Sequence, residues 1–371
     1  MKLTIRNYLF LFAIVLTFIS SAESAEKFKS VAVIGDSGAT GIMADPRIFL
    51  SYSALGRSIP KPTNHNNVDL SSFKKLYDEF EISLPLNSAG SSSGFEGYPN
   101  HFLKFKTELG RNLEIVFQSQ LNFREMTWAF LATRSLVSKA SDINLYSING
   151  KRIGSIHEEV DVMKIISKDE MPEATFVSFT ANDFCADNVF LPEEREIALT
   201  RYAKDLKEGL EKLSSMKKSL SAHHVYVLAP MPVTKILSSA EIAEKKIYLP
   251  IKGETTCRDI RSGDSIPVAF SKADYGVAIR KMCPSILSIK PEDKEKIAFM
   301  EALYKDVLNI QKTTIDDLKL KAASNVIYHY IPEIFDIDVK PKDIANDCFH
   351  PSIYGHAKVA RILKAHLLLD N

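Results

Sequence analysis

Four short runs of apolar and β-branched residues punctuate this chain: Lys29 to Ile34, Thr175 to Phe179, His224 to Leu228 and Asn325 to Tyr330. The first ends at Gly35 and reads as a buried strand meeting a tight turn; the other three share its character. Between them, apolar residues recur three or four apart over Ser155 to Ile166, Glu193 to Lys218 and Asp293 to Lys321, the stripe of an amphipathic helix. Ile353 to Leu369 closes the chain with the same pattern. Strands alternating with helices predict an α/β fold with a central parallel sheet covered on both faces.

Two segments interrupt the alternation. Pro46 to Glu125 is rich in Ser, Asn, Gly and Pro, and Ser238 to Pro291 holds two of the cysteines. Neither has a low-complexity boundary, so both read as insertions, at about 46–125 and 238–291, in a single domain spanning 26–371. No internal repeat is evident. The first 25 residues differ from the rest: Lys2 and Arg6 precede an apolar run from Tyr8 to Ile19, and small residues follow. That is the layout of a secretory signal peptide, 1–25. The rival reading is an uncleaved membrane anchor, but the run falls short of the roughly 20 apolar residues a spanning helix needs. The expected destination is the periplasm or the extracellular medium.

Composition narrows the partners. The 371 residues are 45% hydrophobic, enough for a sizeable core, and the formal charge of +1 offers no field for phosphate backbones, which argues against nucleic acid. Export makes the four cysteines candidates for two disulfides, with buried free thiols as the alternative. Cys257 with Cys283 closes the shorter loop and is the first choice, leaving Cys185 for Cys348.

Candidate chemistry begins where the first strand ends. Val31-Ala32-Val33-Ile34-Gly35-Asp36-Ser37 sets a serine at the carboxyl end of a strand, where open α/β sheets hold their sites, and Gly38, Ala39 and Gly41 keep the following turn small. The same tripeptide Gly-Asp-Ser also serves ordinary turns and helix caps. A serine becomes a nucleophile only when an imidazole takes its proton and a carboxylate orients that imidazole. Asp347 and His350 stand three apart near the end of the chain, close enough in one turn to point the same way, although a capping Asp beside an incidental His would look alike. Asp36 reads as structural. His223, His224 and His356 read as packing or surface groups. No His-Glu-x-x-His or paired Cys-x-x-Cys spacing points to a metal, and no cofactor is expected.

At these residues the chain resembles the SGNH (GDSL) hydrolases, whose first and last sequence blocks match Gly35-Asp36-Ser37 and Asp347 to His350. That family also carries a Gly and an Asn whose backbone N–H and side-chain amide join the serine N–H in an oxyanion hole. Asn182-Asp183 matches the Gly-x-Asn-Asp block, with Thr180 where the family has Gly. For the Gly, two segments compete: Asn87 to Gly94, and Ser147 to Arg152 with Gly150. The family's Gly lies shortly upstream of its Asn and opens onto a helix, which fits Gly150; the Ser91-Ser92-Ser93 stretch then borders the substrate cleft. Asn182 to Cys185, Asp347 to His350 and Cys283-Pro284 are most similar to the phospholipase B-like branch, over a resemblance running from about residue 30 to the end.

The resemblance implies a three-layer α/β/α, flavodoxin-like fold and a serine ester hydrolase with catalytic Ser37, Asp347 and His350 and oxyanion donors Ser37, Gly150 and Asn182. The implied partner is a small-molecule or lipid ester, with peripheral contact to membrane lipid allowed and a monomer expected. Lipid esters, short-chain or sugar-borne acyl esters, and an inactive binding role on the same scaffold remain the three functional readings.

Overall fold

The four apolar runs are strands, and the helical stripes are helices. A computed structural model describes residues 28–40, 137–147, 150–179, 181–249, 253–263, 280–323 and 325–369. The proposed signal peptide and the 46–125 insertion lie outside them. In chain order the elements are β1 (Phe28–Gly35), α1 (Ser37–Thr40), β2 (Val137–Leu145), α2 (Ile156–Ile166), β3 (Ala174–Ser178), α3 (Pro192–Ser214) and β4 (His223–Leu228). There follow α4 (Val233–Ser238), α5 (Ala240–Ala243), β5 (Lys246–Leu249), β6 (Gly253–Thr256), α6 (Cys257–Ser262) and α7 (Pro284–Leu287). The chain ends with α8 (Lys294–Lys321), β7 (Val326–Ile331) and α9 (Ile353–Leu369).

Among the described residues, five strands form one sheet in the order β2-β1-β3-β4-β7, every neighbouring pair parallel. Side chains alternate across it, so consecutive residues feed two cores. Ala32, Ile34, Val177, Val225 and Val227 join one apolar cluster with Val160 and Met163 of α2, Leu206 and Leu210 of α3 and Leu303 and Val307 of α8. Val31, Val33, Phe176, Tyr226 and Leu228 face the other side and pack with Ile236 of α4, Ile242 of α5 and Ala360 and Leu363 of α9. The middle strand β3 is buried along its whole length, which explains why it reads as an unbroken apolar run. The strand order reverses beside β1 and β3, and open α/β sheets hold their sites at the carboxyl ends of the strands at such a point.

Two elements depart from expectation. β2 is an edge strand in a segment that reads as polar, and β5 and β6 form an antiparallel ribbon inside the 238–291 segment. The helix expected to run to Lys218 ends at Ser214. There the chain turns to hydrogen-bond the loop before β3: Lys217 N–H donates to Asp169 O, and Met171 N–H to Lys217 O. No helix among the described residues is long and apolar enough to cross a membrane.

Both expected disulfides are corrected. The bonds are Cys185–Cys283 and Cys257–Cys348, with Cα separations of 4.4 and 5.5 Å. Preference for the shorter loop concerns the unfolded chain and does not say where α6 and α7 come to rest. Cys283 caps α7, which packs on the Asn182 turn: Ser285 N–H donates to Cys185 O, and the Ser285 hydroxyl to Phe184 O. Cys257 opens α6, which lies against the loop carrying Asp347 and His350. Both bonds fit an oxidising compartment.

Candidate active site

The turn after β1 is built by close contacts. A Cβ on Gly35 would lie 2.1 Å from Ser178 O, so only glycine lets β1 meet β3 here. Asp36 N–H continues the ladder to Ser178 O at 3.2 Å, and its carboxylate accepts the Gly38 N–H at 2.9 Å. Asp36 is thus a turn-forming residue, fully buried, as its position in the sequence suggests. Ser37 follows at the start of α1.

The last loop brings its own pair to the same place. Asp347 Oδ1 accepts the backbone N–H groups of Phe349 and His350, at 3.1 and 3.0 Å, which folds the three residues into one tight turn. Cys348 takes a left-handed φ of 65° inside it. His350 Nδ1 lies 2.5 Å from Asp347 Oδ2, and His350 Nε2 lies 2.8 Å from Ser37 Oγ. All three side chains are buried, with exposures of 7% for Ser37, 4% for His350 and none for Asp347. The Phe349 ring meets the imidazole edge-on with centroids 5.1 Å apart.

The electrostatics of the pair are coherent. Burial alone would raise the Asp347 carboxyl, but the charge and hydrogen bond of His350 and two backbone N–H groups hold it below its ordinary value. Burial alone would lower the imidazole, yet Asp347, by charge and hydrogen bond, and Asp36 raise His350 above its ordinary value. An ionised Asp347 accepts from Nδ1–H, so in neutral His350 the Nε2 lone pair faces the Ser37 hydroxyl.

Asn182 opens the turn after β3. Its Nδ2 donates to Lys151 O at 2.9 Å and to Asp36 Oδ2 at 3.4 Å, so it links the Ser37 turn to the loop of Gly150. Gly150 is exposed, with a φ of 72°. The structure therefore brings Ser37, Asp347 and His350 into direct contact and puts Asn182 and the neighbour of Gly150 on the flank. Thr180, Gly90, Gly94 and Ser91 to Ser93 lie outside the described residues.

Three groups escaped the sequence reading. Glu159 of α2 is fully buried, and its carboxyl accepts the Gly35 N–H at 2.7 Å and the Ser155 hydroxyl at 2.8 Å. Burial, opposed by those bonds and aided by Asp36 and Glu158, pushes its pKa well above the usual carboxylate range. The signal lay in its position: Glu159 falls on the apolar stripe with Ile156, Val160 and Met163. Asp183 accepts the Ile153 N–H at 2.9 Å, and burial pushes its carboxyl up to about 7. Lys245, half-buried, donates to the carbonyls of Ile344 and Ala345 beneath the Asp347 turn, and nothing in its charged surroundings in the sequence marks it. His356, which reads as a packing or surface group, is fully buried on α9 and lowered to about 3, chiefly by burial and then by the nearby His350, so it is neutral.

No protein-family model matches the chain, and no curated protein matches it.

Proposed function

We propose that this chain is an exported serine ester hydrolase of the SGNH type, a single domain of three layers with a flavodoxin-like strand order, acting on lipid esters. The observation that carries the reading is the continuous contact from Ser37 Oγ through the His350 ring to Asp347 at the carboxyl end of β1. The strand order reversing beside β1 and β3 supports the fold assignment.

In the proposed reaction His350 Nε2 takes the Ser37 proton as Oγ attacks the ester carbonyl. The Ser37 and Gly150 backbone N–H groups and the Asn182 amide stabilise the oxyanion; the long 3.4 Å contact to Asp36 leaves one amide hydrogen readily redirected. The imidazolium then protonates the leaving alcohol, and the ring activates water to release the acid. Asp347 keeps the ring in one tautomer throughout. Lipid esters are favoured over short-chain or sugar-borne acyl groups by the resemblance of the Asn182 to Cys185 and Asp347 to His350 segments to the phospholipase B-like branch.

The test is hydrolysis of p-nitrophenyl esters of graded chain length by the purified protein, with organophosphonate labelling mapped by mass spectrometry. Label on Ser37, and near-complete loss of turnover in Ser37→Ala and in His350→Ala, are expected, because the two act as a unit. Asn182→Ala should lose about a hundredfold to a thousandfold, the usual effect of one oxyanion donor. A rate rising with acyl length would favour lipid substrates, since each buried methylene contributes about 0.8 kcal/mol. Label on Ser91, Ser92 or Ser93, or turnover lost to a chelator, would overturn the assignment.

A further inference from the structure

The turn that carries Asp347 and His350 is held from behind by two cations bound to carbonyl oxygens, half-buried Lys245 and buried Arg261. Lys245 Nζ donates to Ile344 O and to Ala345 O, the latter at 3.1 Å. Lys245 O in turn accepts the Cys257 N–H at 3.2 Å, which docks α6 against the same loop. From α6, Cys257 is disulfide-bonded to Cys348, and Arg261 donates to Cys348 O at 3.2 Å. Neither Lys245 nor Arg261 has a carboxylate within salt-bridge distance among the described residues. An ammonium that gives up part of its hydration to bind only carbonyls bears a desolvation cost that an apolar side chain in the same place would not.

The charge has a further consequence. Lys245 binds two residues from Asp347, the anion whose field raises the proton affinity of His350. Among the groups that face Lys245, Asp347 and Asp343 act on it most strongly after burial itself. The charged and titratable groups facing His350 are Asp347 on its own loop, Asp36 at the end of β1 and His356 on α9. A cation behind Asp347 opposes that carboxylate's pull on the imidazolium and keeps the ring available as a base at lower pH.

We propose that Lys245 is a positioning residue of the site, its carbonyl-bound ammonium fixing the loop of Asp347 and His350 and tempering the field that Asp347 exerts on the imidazole. This rests on the reading of Ser37 and His350 as nucleophile and base. Removing the charge should strengthen the hold of His350 on its proton and move the acid limb of kcat/KM to higher pH.

The experiment compares the purified full chain with Lys245→Met, Lys245→Gln and Lys245→Arg. It measures the pH profile of kcat/KM on p-nitrophenyl butyrate, and separately the titration of the His350 ring by NMR in a Ser37→Ala background. The neutral variants should displace both midpoints upward, by roughly three- to tenfold in proton concentration, with KM little altered. Lys245→Arg should return both toward the wild-type positions. Circular dichroism checks folding, and Lys245→Gln, which keeps a donor on the carbonyls, stands in should Lys245→Met fail to fold. An unmoved ring titration in a folded neutral variant overturns the role of Lys245 even if turnover falls. If the wild-type chain fails to react with a phosphonate at Ser37, the hydrolase reading fails instead, and the NMR titration alone still decides whether Lys245 acts on the pair.

Discussion

Asp183 and Glu159 bring two carboxyls into the buried ground beneath the nucleophile turn, and neither is within salt-bridge distance of a cation among the described residues. Each binds its proton more tightly in the folded chain than in the unfolded one. Such a group contributes stability that is fully present below the ordinary carboxylate range and is lost as pH rises through its folded value, about 7 for Asp183. Asp183→Asn keeps an oxygen acceptor for the Ile153 N–H but removes the titration. Urea unfolding from pH 4 to 8 should therefore show a shallower decline for the variant than for the wild-type chain; an equal slope would place the titration elsewhere. At this scale the sequence was informative where chemistry demands particular neighbours. Ser37, Asp347 and His350 could be singled out because a strand end and a three-residue spacing restrict what they can do, whereas Asn182 came only from the resemblance to the hydrolase blocks. Glu159 could have been found on its apolar stripe. Lys245 could not, since a lysine flanked by Glu244 and Lys246 reads as solvated surface.

Strands with a neighbour on each side were legible, and so was β7 at one edge of the described sheet, whereas β2 at the other edge was not. β3 and β4 are nearly continuous apolar runs, whereas β2 contains Ser138, Lys139, Ser141, Asp142 and Asn144 and, among the described residues, pairs only with β1. The disulfide partners were unreadable for a related reason: spacing along the chain carries no information about where α6 and α7 dock. Helix packing hides a further constraint. Gly209 sits inside α3, where glycine ordinarily weakens a helix by roughly 0.5–1 kcal/mol relative to alanine. A Cβ there would lie 2.0 Å from Ile156 Cγ2 of α2, a branched side chain anchored in the core. Overpacking of this kind costs about 1–3 kcal/mol, so the clash should outweigh the gain in propensity. Gly209→Ala is accordingly expected to lower the thermal midpoint of unfolding, and an unchanged or raised midpoint would mean that α2 and α3 separate more easily than their packing indicates.

Across the whole molecule, the 238–291 segment touches both flanks of the site. Its α7 is bonded through Cys283 to the Asn182 turn and its α6 through Cys257 to the Asp347 turn, spanning sequence separations of 98 and 91 residues. In the chain-entropy account, loops of that length stabilise by about 4–5 kcal/mol each. The two bonds should nonetheless differ in what they do for turnover. Replacing Cys257 and Cys348 with serine should depress kcat by loosening the base-bearing turn, while replacing Cys185 and Cys283 should reproduce the weaker defect of Asn182→Ala; identical defects from the two pairs would imply that only global stability is at stake. The last expectation concerns pH. His350 is raised above its ordinary value near 6.5, so its interaction with Asp347 stabilises the fold fully below that value and fades as pH climbs through the folded one. Asp347 is lowered, so its share is present above the ordinary value of 3.8 and is lost as acid protonates it. In the proposed reaction turnover runs the other way, because only neutral His350 can accept the Ser37 proton. The acid limb of kcat/KM should consequently have its midpoint above 6.5, in a range where the stabilisation from the pair is already declining. Activity and unfolding measured on one preparation over pH 5 to 9 test this, and a midpoint below 6.5 would mean that burial outweighs the Asp347 charge at the imidazole.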